Sequence, residues 1–181
     1  MKGIVFTEFL ELVEDAWSLD MVDTILADAK TATGGAYTAV GTYDGAEMVA
    51  LVGALSRATG TPMGALIETF GRHLFGRFVA LYPAFFEGCA TTFEFLPRVD
   101  EYIHVEVRKL YHDAELPSIQ ARQEGPDTMH VTYRSPRCMA KLARGLIDGC
   151  LAHFGDRCAV TEHDDTGGGS QVTFTLQRLP A

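Results

Sequence analysis

The sequence predicts an α+β domain. In it a helical N-terminal lobe (residues 1–62) packs on a C-terminal lobe (residues 63–181) of helices and a small antiparallel sheet of about four strands. Two observations carry this. Up to residue 111 the apolar residues recur at three- and four-residue steps, the period of helices with one buried face. Beyond Pro117 the pattern turns to alternation and β-branched residues, interrupted once by a further helical stretch.

Taken in order, Ile4, Val5, Phe9, Leu10, Val13 and Trp17 give residues 2–17 a broad apolar helical face. Ser18 is placed to cap a second helix, "SLDMVDTILADAK". A Gly- and Thr-rich connection follows, and Asp44 can cap a third helix over 45–58. Thr61-Pro62 reads as a cap with proline at the first helical position of a fourth helix, which runs to Pro83. Residues 90–111 are helical with Pro97 inside, so a break is expected there. "TMHVTYRS", "AVTEH" and "QVTFTLQRL" read as strands, the last two joined by the glycine-rich hairpin "DDTGGGS". Between them, "PRCMAKLARGLIDGCLAHF" is amphipathic and is introduced by Pro136. There are no repeats and no low-complexity linker, so a single domain is expected.

A net charge of −9 disfavours a nucleic-acid partner, because phosphate binding needs clustered Lys and Arg. The opening apolar run is broken by Glu8, Glu11 and Glu14 and has no secretory shape. "MVALVGAL" is far shorter than the ~20 residues a bilayer requires, so a soluble cytoplasmic protein is expected. Cys89, Cys138, Cys150 and Cys158 form neither CxxC nor CxxCH and read as free thiols. A zinc site combining Cys138, Cys150, Cys158 with His153 or His163 would lack the close ligand pairs of structural zinc.

Two features carry chemistry. Leu96, Val99, Ile103, Val107 and Leu110 define one buried helical stripe, and His104 sits at its edge. Such a histidine is either a satisfied core residue or a ligand. Downstream, Tyr133, Ser135 and Arg137 are spaced two apart, so on an extended segment all three share one face. They form either the polar outer face of a strand or a donor set for an anion, in which Arg137 could take a carboxylate bidentately. Read together, a neutral imidazole, a carboxylate clamp and apolar surroundings suit haem: iron on the histidine, propionates on the clamp.

The segments "MKGIV", "FGRHLFGRF" and "HVEVRKLY", a proline thirteen residues after the histidine, and Y-x-S-x-R give a close resemblance to the haem-nitric-oxide/oxygen-binding domains. This family includes the haem domain of soluble guanylate cyclase, and the resemblance covers nearly the whole chain. It implies non-covalent haem b buried between the lobes. His104 would be the axial iron ligand, Tyr133, Ser135 and Arg137 the propionate contacts, and Pro117 the residue that presses on and bends the porphyrin. Val5, Phe9, Leu74, Phe78, Leu142 and Leu146 match the family's distal wall. Leu142 falls where O₂-holding members carry a tyrosine donor.

With an all-apolar distal wall, the resemblance implies the NO-selective branch: NO and CO bind, and O₂ binds weakly or not at all. The implied role is signalling rather than catalysis, since the distal wall offers neither a base nor a charge stabiliser. NO would weaken the bond from His104, the porphyrin would relax against Pro117, and the helix would shift. The output would be a separate histidine kinase or cyclic-di-GMP enzyme. A haem-dependent redox or O₂ sensor and a haem-free apolar-ligand adaptor are the alternatives. His73, His112 and His130 read as packing or surface residues. Some relatives carry a C-terminal Cys/His zinc site, but here Val172 and Asp164 stand where two of its cysteines would be.

Overall fold

Phe6, Phe9 and Val13 recur on one face of the first helix, α1 (Gly3–Ala16), and are almost wholly buried. The computed structural model describes residues 1–180. Ser18 starts α2 (Leu19–Ala29) by accepting a hydrogen bond from the Met21 amide at 3.2 Å. Asp44 does the same for α3 (Gly45–Thr59) through Ala46 N at 2.9 Å. Each cap satisfies an amide that the first helical turn leaves without a partner.

Two expectations are corrected in this half. Thr61 does not cap the fourth helix, α4 (Met63–Leu81): Pro62 precedes its first residue with ψ at 137°, and no side chain caps the start. Thr61 is held instead by local bonds, its carbonyl accepting from Ser56 Oγ and its amide donating to Thr59 Oγ1. Trp17 leaves the apolar face at the end of α1 and is 42% exposed.

The chain breaks near Pro97, as expected. A short α5 (Thr92–Phe95) precedes it, and a widened turn over Val99–Ile103 follows it, in which the His104 amide reaches back five residues to Val99 O. Then comes α6 (His104–Leu110). Widened turns of this kind concentrate at functional sites, and this one delivers His104. The predicted stripe holds for Leu96, Val99 and Ile103, which pack on the core. Leu110 instead is 71% exposed, because α6 runs out past the packed cluster.

The sheet has four strands: β1 (Ser118–Glu124), β2 (Thr128–Arg134), β3 (Cys158–Asp164) and β4 (Gln171–Arg178), antiparallel in the order β1-β2-β4-β3. The fold is therefore α+β. Met129, Val131 and Tyr133 alternate inward from β2 opposite Val172, Phe174 and Leu176 of β4. β1 lacked a distinct signal because only Ile119 and Ala121 alternate inward on this edge strand. The turn between β3 and β4 is built on Asp164, which accepts from Thr166, Gly167 and Gly169 amides; Gly167 (φ 70°) and Gly169 (φ 75°) adopt the left-handed conformation.

The last helix, α7 (Ala140–Phe154), begins four residues later than Pro136 suggests. Residues 135–139 are tied into a turn: Ser135 Oγ accepts from Arg137 N, Ser135 O accepts from Cys138 N, and Tyr133 Oη accepts from Met139 N. Helix α7 lies against α4 at unusually close range. A Cβ on Gly145 would stand 2.1 Å from Glu68 O, and one on Gly71 would stand 2.6 Å from Leu142 O. Among the described residues no helix is long and apolar enough to cross a membrane.

Two apolar clusters result. The first gathers α1–α3, the N-terminal part of α4 and Met139; the second gathers Phe75, α5, the sheet and the inner face of α7. Leu146 packs against both. Glu8, read from sequence as a break in an apolar run, is in fact buried, its carboxylate accepting from Arg77 Nε at 2.5 Å. A carboxylate so deeply placed requires such a partner.

Candidate functional site

His104 is largely buried, and its Nδ1 lies 2.6 Å from Asp100 Oδ1, one helical turn back. The other oxygen of Asp100 accepts from Ser118 Oγ at 3.0 Å and from Ile119 N at 2.8 Å. The carboxylate thus pins the imidazole to the first residues of β1. With Nδ1 engaged, Nε2 is the nitrogen that remains to meet a metal, an arrangement typical of metal-bound histidines. Burial lowers the pKa of His104, against the opposing pull of Asp100, which favours the neutral ring that a metal needs.

Asp100 was not singled out in the sequence. Its signal was available: it precedes His104 by four residues, so the two side chains share a helical face. Ser118 and Ile119 had no such signal, since their approach depends on strand placement.

Tyr133, Ser135 and Arg137 do not lie on one extended run, which corrects their predicted common strand face. Strand β2 ends at Arg134, and Arg137 follows in the turn. The turn nevertheless keeps the three close together, by the Ser135–Arg137 and Tyr133–Met139 bonds already described. Tyr133 and Ser135 are buried. Tyr133 pairs across the sheet with Ile119, the residue whose amide binds Asp100, so the two halves of the candidate site meet through one register position. Arg137 donates from Nη1 to Glu115 O at 2.8 Å and from Nη2 to the Glu115 carboxylate. Glu115 and Pro117 both lie in the segment between α6 and β1.

The six distal candidates all belong to or pack against the first cluster. Phe9 and Leu74 are buried in the first cluster, and Val5, Phe78, Leu142 and Leu146 pack against it. Of the phenols bordering that cluster, Tyr37 Oη donates to Glu47 at 2.6 Å, and Tyr43 Oη accepts from Thr38 N at 2.8 Å and lies 3.4 Å from Thr38 Oγ1. A cleft of about 260 Å³ lined by Asp44, Gly45, Ala46, Val49, Arg137 and Met139 opens beside the clamp. It touches no other proposed haem contact except Arg137.

The remaining titratable groups do not assemble a metal site. Among the described residues no three His, Cys, Asp or Glu side chains converge. Cys150 is fully buried, with its thiol pushed up to about 12 by desolvation, so in the absence of a metal it stays protonated.

The donor set therefore suits haem: a neutral imidazole with Nε2 available, a guanidinium and two hydroxyls for carboxylates, and an apolar wall. The haem-NO-binding family model matches residues 2–162. The chain belongs to that family. H-NOX structures agree throughout. The unliganded Fe(II) H-NOX protein from K. algicida is 34% identical, with a TM-score of 0.93 over 100% of this chain and 98% of that one. The IWP-051-bound H-NOX from Shewanella woodyi in its Fe(II)CO state is also 34% identical, with a TM-score of 0.85 over 99% and 95%. An H-NOX protein from S. oneidensis in its Fe(II)NO state, 21% identical with a TM-score of 0.91 over 99% and 100%, shares the fold. No curated protein sequence matches the chain. H-NOX domains are haem-based gas sensors rather than enzymes.

Proposed function

We propose that this H-NOX chain is an NO-selective sensor that signals to a separate protein, a histidine kinase or a cyclic-di-GMP enzyme. The reading rests on Val5, Phe9, Leu74, Phe78, Leu142 and Leu146, the residues assigned to the distal wall, all in or against one apolar cluster and none carrying a side-chain hydrogen-bond donor. Non-covalent haem b, when bound, supplies the ferrous iron at which NO and CO bind. His104 Nε2 would hold the iron, Tyr133, Ser135 and Arg137 would hold the propionates, and Pro117 would press on the porphyrin.

O₂ needs a donor to stabilise the charge it draws onto its outer oxygen, whereas NO does not. The ferrous protein is therefore expected to keep its unliganded spectrum in air until it oxidises, and to shift on adding NO or CO. A lasting Soret shift in air that CO reverses would overturn the NO-selective reading.

Signalling requires that strain at His104 reach another surface. Just beyond α6, the Asp113 carboxylate accepts from Lys2 Nζ and Thr42 Oγ1. Release of His104 would let α6 shift, and Asp113 would carry that shift to the N-terminal segment. Asp100 sets how tightly His104 holds. Asp100→Ala removes the acceptor that fixes the ring, and loss of such outer partners costs about ten- to a hundred-fold in metal affinity. The expected result is faster haem transfer to apomyoglobin and a lower iron–histidine stretching frequency; an unchanged frequency would show that Asp100 does not tune the ligand.

A further inference from the structure

We infer that Glu115 competes with a haem propionate for Arg137. The inference rests on the propionate clamp proposed above. A guanidinium offers a carboxylate one pair of parallel N–H groups at a time on each edge. In this structure Arg137 Nη2 is directed at the Glu115 carboxylate and Nη1 at the Glu115 carbonyl. A propionate that takes Arg137 through its outward amino groups must share or displace that carboxylate.

The two partners are unequal in mobility. The Arg137 side chain is 19% exposed and the Glu115 side chain 81%. The arginine stem rests on the start of α3, where a Cβ on Gly45 would lie 3.3 Å from its Cδ and 3.4 Å from its Nε. Arg137 is thus held by packing, and Glu115 is the group free to leave. Its departure costs little. A solvated carboxylate regains water on leaving an exposed ion pair. The bond from Nη1 to the Glu115 carbonyl need not break, so Arg137 stays tied to the segment between α6 and β1 during the exchange.

The experiment measures haem partition at equilibrium between the holoprotein and apomyoglobin for wild type, Glu115→Gln, Arg137→Ala and the double variant. It is repeated with haem dimethyl ester, which has no carboxylates. Glu115→Gln is expected to retain haem about two- to five-fold more strongly, the factor that corresponds to one exposed ion pair. The gain should vanish in the Arg137→Ala background and with the dimethyl ester. Equal or weaker retention by Glu115→Gln while Arg137→Ala still loses haem would overturn the competition and leave the clamp standing. A gain that persists with the ester or without Arg137 would also overturn it, as a general charge effect. Wild-type retention by Arg137→Ala would remove the clamp itself.

Discussion

His104→Gly is expected to abolish the histidine-ligated ferrous spectrum, and imidazole added to the variant is expected to restore it. The effect should exceed the about ten- to hundred-fold loss expected for Asp100→Ala, because the ligand itself is removed. His112 is exposed just past α6, and the other four histidines are engaged or placed elsewhere. His73 lies 3.7 Å from Glu8 on α4, His130 bonds Glu124 and Thr175 on the outer face of β2, and His163 is 82% exposed. His153 packs against the rings of Phe75, Phe86 and Phe154. Asp100 should still be held by Ser118 and Ile119 in the variant, so it can orient the added imidazole as it orients His104. Adding Asp100→Asn to the glycine variant should therefore raise the imidazole concentration needed for rescue. An unaltered ferrous spectrum in His104→Gly without imidazole would end the assignment.

Gly145→Ala should be among the most destabilising small substitutions in the protein. The new methyl group would meet Glu68 O at 2.1 Å and Gly71 Cα at 2.8 Å, and both are backbone atoms that no rotamer change can move. Helices α4 and α7 must separate, at a cost of about 3 kcal/mol. For a domain of this size that lowers the melting temperature by roughly 6–12 °C. Leu74, Leu142 and Leu146 sit on these two helices, so the distal wall should loosen as well. Gly76→Ala, on the exposed side of α4 with no atom within 4 Å of the new Cβ, should instead gain about 0.5–1 kcal/mol. Thermal melts of the two variants check the contrast; a harmless Gly145→Ala would mean that the helices do not cross this closely.

The local architecture was legible because its causes are local. Ser18 and Asp44 cap their helices with groups two or three residues away, and Asp164 organises its turn within five residues. The candidate site was legible for a related reason: His104 stands on one helical segment, while Tyr133, Ser135 and Arg137 fall within five consecutive positions. Periodicity, cap residues and a short motif are readable without knowing what they pack against.

Tertiary structure decided the rest. Asp100 reaches Ser118 and Ile119, Arg137 reaches Glu115, and Glu8 finds Arg77 across 69 positions of sequence. Gly71 and Gly145 become constrained only because two helices cross there. The sequence by itself determined which residues could form helices, strands and a haem-type donor set, since those choices depend on neighbours within a turn or two. Which carboxylate holds the imidazole, which one occupies the guanidinium and which charge is buried depended on contacts between distant segments, whose energies exist only once the chain has closed on itself.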